Sequence, residues 1–132
     1  MRFFIDNCLA HKHAAALHIM VKPLHSVTHL TECFLPNATD ELWLATLSTD
    51  PDWTVISGDY RIVRSKHLRR AWLDSGITSF FLKDGWMNQR LFIQHSRLIA
   101  RFPEMISKAE GCEPGTGFSV PWSGQIERLP QD

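Results

Sequence analysis

Three aspartates stand where three separate segments of the chain can bring them together. Asp6 closes the apolar run Phe3-Phe4-Ile5, Asp40 opens the segment Asp40-Glu41-Leu42-Trp43-Leu44, and Asp59 follows Trp53-Thr54-Val55-Ile56-Ser57-Gly58. Each has an ordinary explanation when taken singly: Asp6 forms an Asx turn, Asp40 is a favourable first-turn helix acid, and Asp59 caps a helix. Taken jointly, they are the raw material of a divalent-metal site. Hard cations such as Mg²⁺ or Mn²⁺ take oxygen ligands, usually one or two carboxylates completed by water and substrate phosphates, so the pattern points to phosphoryl chemistry. Glu41 is a further candidate, either as a ligand through water or as a complement to the helix dipole.

A phosphodiester approaching such a site needs cations, and Lys66, Arg69 and Arg70 follow Asp59 on one face of an expected helix. Arg and Lys hold a nucleic-acid backbone without reading its sequence. The ordinary alternative for the three is a solvated helix face. Globally the charge is balanced, with 14 basic and 14 acidic residues, so any attraction for RNA must be local. Trp86 and Trp122 lie in loop-like contexts and are candidates for exposure and base stacking.

Other chemistries find less footing. No glycine-rich phosphate loop is present, and neither Ser57 nor Cys8 has a base partner that would make it a nucleophile. His11 and His13, two apart on a helix, do not share a face, while His25 and His29 share a strand face without a third ligand. The three cysteines are odd in number and widely spaced, which argues against a disulfide framework and for a reduced, cytoplasmic chain. No stretch is apolar enough for a signal peptide or a membrane span.

The elements that must position these residues alternate. Phe3–Ile5 is a strand buried on both faces, and a helix from Leu9 to Met20 ends before Lys22-Pro23. A short strand at Val27–Leu30, a helix from Asp40 to Leu47, a turn at Asp50-Pro51-Asp52 and a strand at Trp53–Ile56 follow. Next come a helix from Val63 to Asp74 capped by Gly76, a strand at Ile77–Leu82, and a long helix through Met87, Leu98 and Met105 that Pro103 kinks or restarts. Phe118–Trp122 and Ile126–Leu129 suggest a small C-terminal hairpin. At 132 residues this is an α/β chain of one domain with a mostly parallel central sheet flanked by helices, and in such sheets ligands bind beyond the carboxyl ends of the strands.

The blocks Phe4-Ile5-Asp6-Asn7-Cys8-Leu9, Thr39-Asp40-Glu41-Leu42-Trp43-Leu44 and Val55-Ile56-Ser57-Gly58-Asp59-Tyr60-Arg61-Ile62 resemble, in order and spacing, the three signature blocks of PIN-like domains, including VapC-type toxin ribonucleases. The resemblance implies a three-layer PIN-like sandwich and a metal-dependent endoribonuclease in which Asp6, Asp40 and Asp59 bind Mg²⁺ or Mn²⁺. It further implies an RNA substrate and a small antitoxin protein that covers the acidic site; a homo-oligomer is compatible with it. Glu32 is the only acid between Asp6 and Asp40, so the helical glutamate of the family has no clear counterpart. That gap motivates the alternative, a catalytically inactive PIN-like module that binds RNA or protein. A receiver-like phosphoacceptor would need paired acids after the first strand, where Asp6-Asn7 supplies one.

Overall fold

The computed structural model describes residues 1–50 and 52–131 of the protein. Six strands form one sheet in the order β2-β1-β3-β4-β5-β6. They are β1 (Arg2–Ile5), β2 (Ser26–His29), β3 (Trp53–Ser57), β4 (Thr78–Leu82), β5 (Gly117–Val120) and β6 (Glu127–Arg128). All neighbouring pairs are parallel except β5 with β6, which closes the chain as the expected antiparallel hairpin. Strand β1 lies between β2 and β3, so the chain reverses its direction of travel across the sheet after β2. That reversal is a topological switch point, and it opens a crevice at the carboxyl ends of β1 and β3.

The apolar runs are continuous because both sheet faces are covered. Phe3, Ile5, Ile56, Phe80, Leu82, Phe118 and Val120 point to one side, where they pack with Leu17 of α1 (His11–Val21) and with Leu98, Phe102 and Met105 of α5 (Leu91–Gly111). Phe4, Val55 and Phe81 alternate to the other side. There they meet Trp43, Leu44 and Leu47 of α2 (Asp40–Leu47), Ile62 of α3 (Arg61–Arg64) and Trp72 of α4 (Lys66–Ser75). Each fully buried Phe, Ile or Leu contributes about 1.5–3 kcal/mol of transfer free energy, which makes the alternation of Phe3 and Phe4 decisive for the three-layer arrangement.

Several boundaries differ from the sequence expectations for local reasons. The helix expected from Val63 to Asp74 is two helices, because Ser65 adopts extended angles and its hydroxyl accepts from the Leu68 N–H as an N-cap. Gly76, in the left-handed region at φ 67°, ends α4 as expected. The long helix begins at Leu91 and runs without interruption through Pro103 to Gly111, so the expected restart is absent. Trp86 is fully buried and not exposed: its indole N–H donates to the Val120 carbonyl and its ring meets Trp122 edge-on. The expected turn at Asp50-Pro51-Asp52 lies partly outside the described residues, since Pro51 is not among them.

The histidines on the first two elements serve the fold. His13 is buried, its Nε2 2.7 Å from the Gln94 side-chain oxygen, which can only accept; Nδ1 is therefore the acceptor for His95, 2.9 Å away. His29 Nε2 donates to the Leu9 carbonyl, leaving Nδ1 to accept from Thr31. Glu32 accepts from the His29 N–H in a capping box around the short 3₁₀ turn Leu30–Glu32.

Candidate functional site

Strand register places the first acid. Phe4 is paired with Val55 and Ile5 with Ile56, so one further step sets Asp6 opposite Ser57 on the α2–α4 side of the sheet. The Ser57 hydroxyl accordingly donates to Asp6 Oδ2, and the N–H groups of Cys8 and Gly58 donate to Oδ1 at 3.1 and 3.4 Å. Asp6 is only 2 % exposed. Burial pushes its carboxyl up to about 6 in spite of these three donors, because desolvation of the charged form outweighs them.

Thr39 caps α2 through the Leu42 N–H, and this fixes Asp40 as the first helical residue, facing the same crevice. One turn on, the buried Trp43 donates its indole N–H to Asp40 Oδ1 at 3.0 Å. Asp59, two residues past the end of β3, is 8 % exposed and lines the same cleft as Asp40. Burial first, and then the charge of Asp59, hold the Asp40 carboxyl above the usual carboxylate range. Asp59 moves the other way because Arg61 bonds it: the guanidinium Nε lies 2.8 Å from Oδ1 and Nη2 lies 2.5 Å from Oδ2. Asp6, Asp40, Asp59 and Arg61 line one cleft of about 240 Å³, together with Asn7, Cys8 and Trp43.

The cysteine in the cleft is no nucleophile. Although Cys8 as a residue is exposed, desolvation of its thiol within the cleft and then the neighbouring Asp6 push it up to about 12, so it stays protonated. The donors available to a ligand are carboxylate oxygens, the type that hard divalent cations take. Among the described residues, however, no three His, Cys, Asp or Glu side chains are already drawn together as a metal cradle. Arg61 holds Asp59 and Trp43 holds one oxygen of Asp40, while Asp6 is turned toward Ser57 and the backbone.

The remaining candidates fall elsewhere. Glu41 points to α4, with its carboxylate 3.5 Å from His67 Nε2, and does not line the cleft. Lys66, Arg69 and Arg70 line a separate cleft of about 400 Å³ with His67 and Leu73. There Arg70 pairs with Asp74 at 3.5 Å, and Arg69 donates to the Pro130 carbonyl at 2.5 Å. Glu32, committed to its capping box, lies apart from the three aspartates. Ser57, Trp43 and Arg61 join the site without having been candidates for it, Ser57 having been weighed above only as a nucleophile. The Asp40-x-x-Trp43 spacing was a legible signal for one of them, since residues three apart on a helix are neighbours.

Fold and cleft together define an α/β domain with an acidic site at the switch point of a parallel sheet. A family model described as "PIN like domain" matches residues 1–84, more than half of the chain, and covers all three aspartates. The chain belongs to the PIN-like domain family. No curated protein and no solved structure matched it. Among the described residues no helix is long and apolar enough to cross a membrane.

Proposed function

We propose that this protein is a metal-dependent endoribonuclease that hydrolyses RNA phosphodiester bonds, and that it is the toxin of a toxin–antitoxin pair. The observation that carries the reading is the convergence of Asp6, Asp40 and Asp59, from three separated segments, on one cleft. The charge of Asp59 holds the Asp40 carboxyl above its usual range, and carboxylates that repel in this way cost free energy unless a proton or a cation offsets them. Membership of a family that contains many nucleases points the same way.

Asp40 and Asp59 would hold Mg²⁺ or Mn²⁺, with Asp6 behind them. The bound cation supplies Lewis-acid chemistry, neutralising phosphoryl charge and acidifying water at neutral pH. The protein's own residues do the rest. Trp43 and Ser57 orient the carboxylates, Arg61 offers a guanidinium to the phosphate at the rim, and the buried surroundings of Asp6 strengthen every charge interaction in the cleft.

A second reading is favoured by the Arg61–Asp59 ion pair and by the lack of a gathered cradle among the described residues: an inactive PIN-like module that binds RNA or protein. Cleavage assays separate the two. The purified chain should cut members of a broad RNA panel with Mn²⁺ or Mg²⁺ and stop with EDTA, and Asp40→Asn and Asp59→Asn should remove most of the activity. Expression without its antitoxin should slow growth, and those variants should be tolerated. A folded, metal-supplied protein that cuts nothing, with variants as inhibitory to growth as the wild type, would leave the binding module in its place.

A further inference from the structure

We infer that a second cleft, lined by Tyr60, Arg61, Arg64 and Lys83, is a subsite for an RNA backbone phosphate next to the one at the acidic cleft. The inference rests on the ribonuclease reading. This cleft holds about 340 Å³ at the same end of the sheet, floored by Gly58 after β3 and walled by Leu82 and Lys83 at the end of β4. Arg61 lines both clefts, so a strand crossing from one to the other passes a single guanidinium.

Its charge is the reverse of its neighbour's: Arg64 and Lys83 face one acid, Asp84, and Arg61, whose charge is already met by Asp59, brings the N–H groups that Asp59 leaves free. Asp84 does not neutralise the site. The Arg64–Asp84 pair is 3.1 Å long with side chains 60 % and 82 % exposed, and exposed pairs of this kind are weak, so Arg64 exchanges it readily for a phosphate. Among the described residues Lys83 makes no ion pair. The Arg64 guanidinium also lies 5.0 Å over the Tyr60 ring, which orients its donors without consuming them.

The position answers an electrostatic difficulty. Three carboxylates repel a polyanion, and the cations that offset them must lie within about one Debye length, roughly 10 Å at 0.1 M salt, of the strand's path. Arg64 and Lys83 share a cleft with Arg61 beside the acids. Lys66, Arg69 and Arg70 line a different one. A free phosphate ion would need one cluster of donors; two contiguous clefts of opposite sign suit a continuous backbone.

Anisotropy of a labelled single-stranded RNA, with EDTA present so that nothing is cut, tests the inference. Arg64→Gln and Lys83→Gln should each weaken binding several-fold at low salt and lower the slope of log K against log salt by about 0.7, the value for one phosphate of a single strand that the protein no longer neutralises. The Lys66→Gln/Arg69→Gln/Arg70→Gln variant should change both less, and inorganic phosphate should displace the RNA only in large molar excess. If wild type binds RNA and the folded Arg64→Gln/Lys83→Gln variant matches it in affinity and slope, the subsite is wrong while the ribonuclease reading survives. Displacement by equimolar inorganic phosphate would make the cleft an anion pocket and overturn the inference. A wild-type chain that neither binds nor cuts RNA would remove both.

Discussion

Arg61 turns back onto Asp59, two residues before it, and holds both carboxylate oxygens with Nε and Nη2 at 2.8 and 2.5 Å. The geometry is the bidentate fork that Arg makes with carboxylates, here with one partner almost buried and the other 78 % exposed. Arg61 therefore supplies the positive charge beside Asp59 that, on the ribonuclease reading proposed above, a divalent cation would have to displace or share.

Replacing Arg61 with Gln should make the cleft a better cation site and a poorer RNA site. Asp59 and Asp40 would face each other with no competing positive charge, so Mn²⁺ should raise the melting temperature of Arg61→Gln more than that of the wild type. RNA affinity should fall several-fold. Calorimetry with Mn²⁺ that gives equal affinities for both proteins would show that the guanidinium does not compete with the metal.

Asp6→Asn should be tolerated by the fold and favoured by it at neutral pH. Asn keeps an oxygen for the Cys8 and Gly58 N–H groups and gives its amide to the Ser57 oxygen, so the Ser57 O–H, which loses its acceptor, is the one donor left to rotate toward a new partner. The wild-type carboxyl is raised from 3.8 to about 6, so its contribution to stability is fully present below about pH 4 and lost as pH rises to about 6. Two pK units correspond to roughly 3 kcal/mol. Urea unfolding in EDTA should therefore find Asp6→Asn more stable than wild type at pH 7, with the advantage shrinking as pH falls from 6 to 4. A constant difference over that range would contradict the burial account.

Much of this was legible because Asp6 and Asp59 terminate continuous apolar runs, and in a parallel sheet such run-ends collect at one edge. Asp40 was legible through the Thr39 cap and the dipole preference of a first turn. What the chain alone could not supply is tertiary register. Ser57 matters only because β1 and β3 pair so that it falls opposite Asp6, and His13 meets His95 across 82 positions of sequence. The basic residues illustrate the same limit. Periodicity identifies Lys66, Arg69 and Arg70 as one helix face, yet which cleft that face lines depends on how α4 packs over β4, through Trp72 against Phe81.

Gly117 is a packing constraint of the opposite kind, where any side chain is too large. A Cβ there would lie 2.3 and 2.4 Å from Cη2 and Cζ2 of Trp72, a ring fixed by burial and by its N–H bond to the Ile77 carbonyl. The ring cannot yield without losing that bond, so Gly117→Ala should cost about 1–3 kcal/mol or more as an overpacked core. Gly58→Ala should cost less. Its Cβ makes its two closest approaches, 2.7 and 2.8 Å, to the flexible end of Met87, and only a third, at 3.0 Å, to the less yielding Cβ of Cys8. Equal chemical-denaturation midpoints for the two variants would refute the distinction.

Trp43→Phe tests positioning of the acid on α2 while sparing the core. The benzyl ring still fills most of the buried volume against Phe4, whose ring centroid lies 5.4 Å from that of Trp43, but the hydrogen bond to Asp40 Oδ1 is lost. Stability should fall by about 1–2 kcal/mol, from the missing bond and the smaller ring. Support of this kind around metal ligands is worth about 10–100-fold, so RNA cleavage at saturating Mn²⁺ should drop by at least tenfold. The same drop should appear in Mn²⁺ affinity, measured by calorimetry, because Asp40 would no longer be held toward Asp59. A purely structural role for Trp43 predicts the loss of stability with metal affinity unchanged, and that result would remove Trp43 from the site.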